Sequence, residues 1–220
     1  TLGMMITLNR KILGYWNNVQ QGNWDRGAFS SLSLNNKIVG IVGGGNIGRR
    51  VAALVQALGA QVLYYDAFRM SPEQEKALRM TYTPLEELLE RADLVSLHVP
   101  LLDSTRHIID KEQLSRMKPT ACLVNTARGG LVDEEALLQA LQEGRLAGAG
   151  LDCVESENAP VTRELLTAPN VLVTPHIGGS TADLADAMIP AVADVIERIA
   201  AGREIKNVVN QEFLLPYGQG

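Results

Sequence analysis

The sequence predicts an α/β protein built on a doubly wound parallel sheet, and three observations carry that prediction. From residue 37 onward, short β-branched runs alternate with stretches of helical spacing. The runs are apolar throughout rather than alternately apolar and polar, and glycines cluster directly after the first of them. Continuous apolar strands separated by helices read as βαβ units, whose sheet is covered on both faces.

The elements follow in order. Residues 1–25 read as a helix and then a loop, with Met4, Met5, Leu8, Ile12 and Trp16 spaced to make one broad apolar face. "KIVGIVG" (37–43) is a strand, "NIGRRVAALVQALG" (46–59) a helix and "QVLYYD" (61–66) the next strand. "TPLEELLERA" (83–92) is a helix for which Thr83, Pro84 and Glu86 make a capping box with proline at the first helical position. "DLVSLHV" (93–99), "ACLVNTA" (121–127), "AGAGLDCV" (147–154) and "VLVTP" (171–175) are further buried strands. Helices lie near 111–117, 133–143 and 162–167. "STADLADAMIPAVADVIERIAAG" (180–202) is a long helix, kinked at Pro190 and stopped by Gly202. One domain is expected over 1–202, with residues 1–30 ahead of its first strand and 203–220 lying beyond it.

Composition narrows the function. A chain of 220 residues makes one large domain, or one domain and part of another. Hydrophobic residues make up 46% and charged residues 20%, which suits a well-filled core. A net charge of −5 argues against a nucleic-acid partner. No apolar run reaches the roughly 18 residues that span a bilayer, so no membrane association is expected. No secretory signal is legible, and the expected location is cytoplasmic. Cys122 and Cys153 lie in strand-like stretches and read as buried thiols. Neither has metal-ligand spacing, so no metal is expected.

"GIVGGGNIGRR" places Gly43, Gly45 and Gly48 in GxGxxG register, after a strand and opening a helix. In a Rossmann unit such glycines let the backbone approach a pyrophosphate, which the helix N-terminus attracts. The second strand ends in Asp66, 18 residues past Gly48, where an acid accepts hydrogen bonds from ribose hydroxyls. A carboxylate there repels a 2′-phosphate, so the expected cofactor is NAD. Arg69 nearby is the one residue that argues toward NADP.

Ligands of an open α/β sheet gather at the carboxyl ends of its strands. Arg128 follows strand 121–127, Asp152 lies near the end of strand 147–154 with Glu155 and Glu157 beyond it, and His176 follows "VLVTP". A forked guanidinium suits the carboxylate and carbonyl of a 2-oxo acid. Histidine suits the proton that must accompany hydride transfer, and a neighbouring carboxylate orients the imidazole and raises its pKa.

Here the chain resembles the D-isomer-specific 2-hydroxyacid dehydrogenases, in "GGGNIG", "DLVSLHVPLLDSTRHII", "VNTARGGLVDEEAL", "AGAGLDCVESE" and "TPHIGGST". The resemblance implies an NAD-dependent oxidoreductase acting on a D-2-hydroxy acid or its 2-oxo acid, with phosphoglycerate or glycerate types favoured. It implies Arg128 as the substrate-binding arginine, His176 as the proton donor or acceptor, and Glu157 as its paired carboxylate. Spacing from Asp152 favours Glu157 over Glu155, although Asn158 stands where the family often has proline. By the same resemblance Asn46 and Ile47 lie at the pyrophosphate, and Thr126, Ala127 and Asp152 near the nicotinamide ribose and carboxamide. His98, Val99, Pro100 and Thr105 line the adenosine and nicotinamide side, and Gly178 and Gly179 follow the histidine at the cofactor. His107 reads as structural, and Trp16 and Trp24 as packing or interface residues. The family's use of the first helix as a dimer arm implies a homodimer, and residues 203–220 resemble its return toward a substrate domain. Two other classes stay open: an NAD-sensing module resembling the family's corepressors, and an NAD-binding fragment without turnover.

Overall fold

The computed structural model describes residues 1–155, 163–205 and 208. Two compact units are present, Thr1–Gly178 and Gly179–Gly220. The first opens with α1 (Leu2–Asn9) and α2 (Ile12–Gln20), then β1 (Ile38–Val42), α3 (Asn46–Ala57) and β2 (Gln61–Tyr65). It continues through α4 (Pro72–Leu78), β3 (Met80–Tyr82), α5 (Leu85–Arg91), β4 (Leu94–Leu97) and α6 (Lys111–Arg116). Then come β5 (Cys122–Asn125), a 3₁₀ turn (Gly129–Leu131), α7 (Glu134–Gln142), β6 (Gly148–Leu151), α8 (Arg163–Thr167) and β7 (Val171–Val173).

The strands pair in the order β3-β2-β1-β4-β5-β6-β7, and every pairing is parallel. The chain therefore winds outward from β1 in both directions, and the crevice beyond β1 and β4 is the switch point at which such sheets bind ligands. Successive strand residues face opposite sides. Leu123 joins Leu88, Leu97, Leu114 and Leu137 in the core on one face. Its neighbours Cys122 and Val124 join Val51, Val55 and Tyr64 on the other. Both faces are covered, as the unbroken apolar runs require.

Two expectations change, and two elements are added. The first helix does not present one continuous apolar face. Met4, Met5 and Leu8 are 7%, 0% and 0% exposed, packed into the core beside the sheet. Gly150 in β6 admits this approach, because a Cβ there would lie 3.1 Å from Met4 Cβ. The helix breaks at Lys11, whose φ is 52°, and Lys11 Nζ donates to Ala147 O at 3.2 Å. Only α2 beyond the break leaves apolar side chains outside, Trp16 being 59% exposed.

The capping box also sits elsewhere. Pro84 is the N-cap of α5, without a side-chain cap, while Thr83 is buried. The box belongs to α4, where Ser71 Oγ accepts from Gln74 N–H and Gln74 Oε1 accepts from Ser71 N–H. Finally, α4 and β3 together occupy a stretch that carries no strong apolar periodicity.

The second unit contains α9 (Leu184–Ala200), with Pro190 inside it. Gly202, two residues past the helix, has a φ of +62°, the left-handed conformation that closes a helix.

Candidate cofactor and substrate site

Gly43 leaves β1 with φ +107°, and a Cβ there would lie 2.6 Å from the backbone carbon of His98. Gly48 lies inside α3, and its Cβ would stand 2.0 Å from Gly43 O. Both glycines are required by the protein's own packing. A Cβ on Gly45 would meet nothing within 4 Å, so that position opens onto space at the N-terminus of α3. There Asn46 and Ile47 are exposed, and the first-turn N–H groups lack helical partners. A pyrophosphate fits this cradle.

Asp66 stands immediately past β2. Its Oδ2 accepts from Gly44 N–H at 2.7 Å and its Oδ1 from Phe68 N–H at 2.9 Å. The carboxylate is thus tied to the glycine loop, where a ribose would lie beside it. Arg69 is committed elsewhere. It pairs with Glu75 at 2.8 and 3.1 Å and stacks 4.7 Å over the Tyr82 ring. That removes it as the cation for a 2′-phosphate in this arrangement.

His98 follows β4, with Nε2 2.9 Å from Ser96 Oγ. Burial pushes its imidazole down to about 4, so it is neutral at neutral pH. Val99 packs against the core. Thr105 closes the following turn, its hydroxyl donating to Pro100 O at 2.6 Å and accepting from Leu102 N–H at 2.8 Å.

Beyond β5, Thr126 Oγ1 lies 2.6 Å from Thr1 Oγ1. Asn125 organises the turn that carries Arg128: its Oδ1 accepts from Ala127 N–H at 3.1 Å and its Nδ2 donates to Arg128 O at 2.8 Å. Asn125 is fully buried. The Arg128 side chain is exposed and donates to Ala127 O at 2.7 Å. Sequence reasoning missed Asn125, although a polar residue closing an apolar strand signals a buried group with a partner to satisfy.

Asp152, 3% exposed, plays the matching part for His176. Its main-chain oxygen accepts from His176 N–H at 2.8 Å. Its carboxylate accepts from Ile177 N–H at 2.9 Å, from Gly178 N–H at 2.7 Å and from the Thr174 hydroxyl. Burial works against its charge, but the Thr174 hydroxyl, the two amides and the nearby His176 outweigh it and hold the carboxyl below its usual range. A Cβ on Gly178 would come within 2.8 Å of that carboxylate. His176 itself takes a φ of 54°, a left-handed conformation that the loop around Asp152 maintains. Asp152 therefore sets the backbone that carries the histidine. Gly179 opens the second unit.

Of the two candidate acids, Glu157 lies outside the described residues. Glu155 accepts from His107 Nε2 at 2.8 Å and from Arg106 Nη1 at 3.5 Å. Cys122 and Cys153 are buried and outside any disulfide, and burial pushes the Cys122 thiol up to about 11. Among the described residues no cluster of three His, Cys, Asp or Glu side chains could hold a metal ion, and no helix is long and apolar enough to cross a membrane.

Comparison with known proteins agrees with this geometry. Residues 2–178 match the model of the D-isomer specific 2-hydroxyacid dehydrogenase, NAD binding domain. The chain is 40% identical over 210 residues to a D-3-phosphoglycerate dehydrogenase of Methanocaldococcus jannaschii, covering 96% of this chain and 40% of that one. It is 41% identical over 215 residues to a glyoxylate reductase of Korarchaeum cryptofilum, covering 96% and 64%. It thus spans less than two thirds of the length of either curated relative. The crystal structure of D-lactate dehydrogenase with NAD+ from Lactobacillus jensenii superposes with a TM-score of 0.84 at 36% identity, covering 94% of this chain and 66% of that one. A glycine cradle with an open central position, an acid beside it and a parallel sheet wound outward from β1 thus accompany the match over residues 2–178: the chain belongs to the D-isomer-specific 2-hydroxyacid dehydrogenase family and carries its NAD-binding domain.

Proposed function

We propose that the protein carrying this chain is an NAD-dependent oxidoreductase that interconverts a D-2-hydroxy acid and its 2-oxo acid, with phosphoglycerate or glycerate types favoured. One observation carries the reading. Arg128 and His176 both follow strands at the sheet edge that bears the glycine cradle, and each rests on a buried polar residue, Asn125 and Asp152 respectively. The guanidinium of Arg128 offers forked donors to the carboxylate and carbonyl of the substrate. His176 gives a proton to the carbonyl oxygen in reduction and takes one from the hydroxyl in oxidation. Glu157 orients that imidazole and favours its protonated form, a role resting on spacing and resemblance. NAD, when bound, supplies or accepts the hydride. The names of the relatives, a phosphoglycerate dehydrogenase and a glyoxylate reductase, support this substrate class.

A panel of 2-oxo acids with NADH tests the proposal on the full protein. One member should turn over, and His176→Ala should lower kcat by roughly 10²–10⁴-fold while NADH affinity stays nearly constant. Arg128→Lys should not restore what Arg128→Ala loses, since an ammonium lacks the fork. NADH binding without turnover of any member would instead favour the NAD-sensing reading.

The partner is a second copy of the chain, met through α2 and the following loop, where Ile12, Trp16, Val19 and Trp24 are 44%, 59%, 46% and 80% exposed. Large exposed aromatics of this kind suit an interface. Light scattering at micromolar concentration should give the mass of a dimer, and Trp16→Glu that of a monomer; a monomeric native protein refutes the reading. Buried cysteines outside any disulfide suit the cytoplasm as the location.

A further inference from the structure

The Arg128 turn is held on two sides by segments that the proposed chemistry does not employ. On one side, His107 adopts a φ of 49°, a conformation disfavoured for any residue bearing a Cβ. Glycine would sit there without strain, so a change to glycine removes the side chain and leaves the backbone at ease. His107 N–H donates to Gly130 O at 2.8 Å, and its Nε2 lies 2.8 Å from Glu155 Oε1. Arg106 reaches the same oxygen at 3.5 Å.

On the other side, a Cβ on Gly129 would lie 1.9 Å from Val154 O and 2.4 Å from Glu155 N. Glu155 N–H in turn donates to Glu134, which opens α7 beyond the turn. Gly129 and Gly130 are therefore enclosed between the loop after β4 and the loop after β6. The His107–Glu155 contact, with Arg106 beside it, closes one loop onto the other.

We infer that His107 and Glu155 form a clasp that sets the position of Arg128, acting as positioning residues for substrate binding rather than touching the substrate. The inference rests on the reading of Arg128 as the substrate-binding arginine. It also gives Glu155 a task distinct from that of Glu157.

Two measurements test it, each on His107→Gly, Glu155→Ala, Glu155→Gln and the double variant of the first two. His107→Gly suits the left-handed backbone and removes only the imidazole. In the 220-residue chain, hydrogen exchange is followed at Leu131 and Val132, whose N–H groups close the turn onto Arg128 O and Gly129 O. Exchange there should accelerate about fivefold in His107→Gly and Glu155→Ala, with β5 amides unchanged, as loss of a partly exposed side-chain contact implies. In the full enzyme the KM for the 2-oxo acid should rise about fivefold, while kcat and the KM for NADH stay within about twofold. The double variant should be no worse than Glu155→Ala, and Glu155→Gln should keep a near-native KM. Unchanged exchange overturns the clasp. Faster exchange with an unchanged 2-oxo acid KM, or a parallel change in all three constants, overturns the positioning role. If the native enzyme turns over no 2-oxo acid, the functional reading fails on its own, and the exchange measurement alone decides whether the clasp holds the turn.

Discussion

Two glycine-bearing turns leave the same edge of the sheet, one after β1 and one after β5, and they use glycine differently. In the second, the space is taken by the protein: a Cβ on Gly129 would lie 1.9 Å from Val154 O, and one on Gly130 would lie 3.1 Å from Leu101 Cδ2. In the first, Gly43 and Gly48 are equally enclosed, but Gly45 has nothing within 4 Å. A glycine enclosed by its own chain serves the fold. One facing open space beside free N–H groups leaves room for a ligand. The sequence writes both with the same letter, so only the surroundings separate them.

Gly129→Ala should have the largest effect. Its Cβ would overlap a backbone carbonyl that cannot rotate away, so a loss of about 3 kcal/mol is expected, lowering Tm by roughly 6–12 °C for a chain of this size. An unchanged melting curve would show that the β6 loop yields easily, and the distinction between the two turns would collapse.

Next comes a pH effect at the wall of the first turn. The folded pKa of His98, about 4, lies below its unfolded value of about 6.5. Between these values the unfolded chain binds more protons, so stability is fully present above about pH 6.5 and falls as pH drops toward 4, by on the order of 2 kcal/mol. Urea denaturation at several pH values should show the decline, and His98→Gln should flatten it. An identical slope in the variant would mean that other groups dominate acid sensitivity.

The smallest effects belong to the open side of the first turn. Gly45→Ala should leave stability within about 0.5 kcal/mol yet weaken NAD at least roughly tenfold, as a Cβ intrudes where the pyrophosphate lies. NAD should exceed NADP in affinity by about tenfold, and Asp66→Ala should narrow that gap. Calorimetric titration reads both; an undiminished NAD affinity in Gly45→Ala would show that the open space is not the cofactor's.

The main architecture was legible because its signals are local and dense. Six of the strands are continuous apolar runs, and GxGxxG followed by an acid after the next strand has few other uses. What escaped depended on tertiary context. "SPEQEKALRMTY" is too polar and too short to show periodicity, so α4 and β3 were invisible although Ser71 and Gln74 carry a capping signal. Thr83 offered the same letters and is buried instead. The face of Met4, Met5 and Leu8 is apolar whichever surface covers it, and spacing cannot tell a sheet from a second subunit. Arg128 and His176 were legible from strand ends, but Asn125 and Asp152 as their supports required the hydrogen bonds.

The left-handed Lys11 gives the N-terminal region a modular character. Before it, α1 is bound up with folding, through side chains that the sheet cannot release without opening its core. After it, α2 displays Trp16 with none of its residues buried. Folding and the proposed self-association would thereby fall to separate helices, two residues apart. The surface of α2 can drift, change partners or be redesigned for solubility without disturbing the core, whereas α1 tolerates no such freedom.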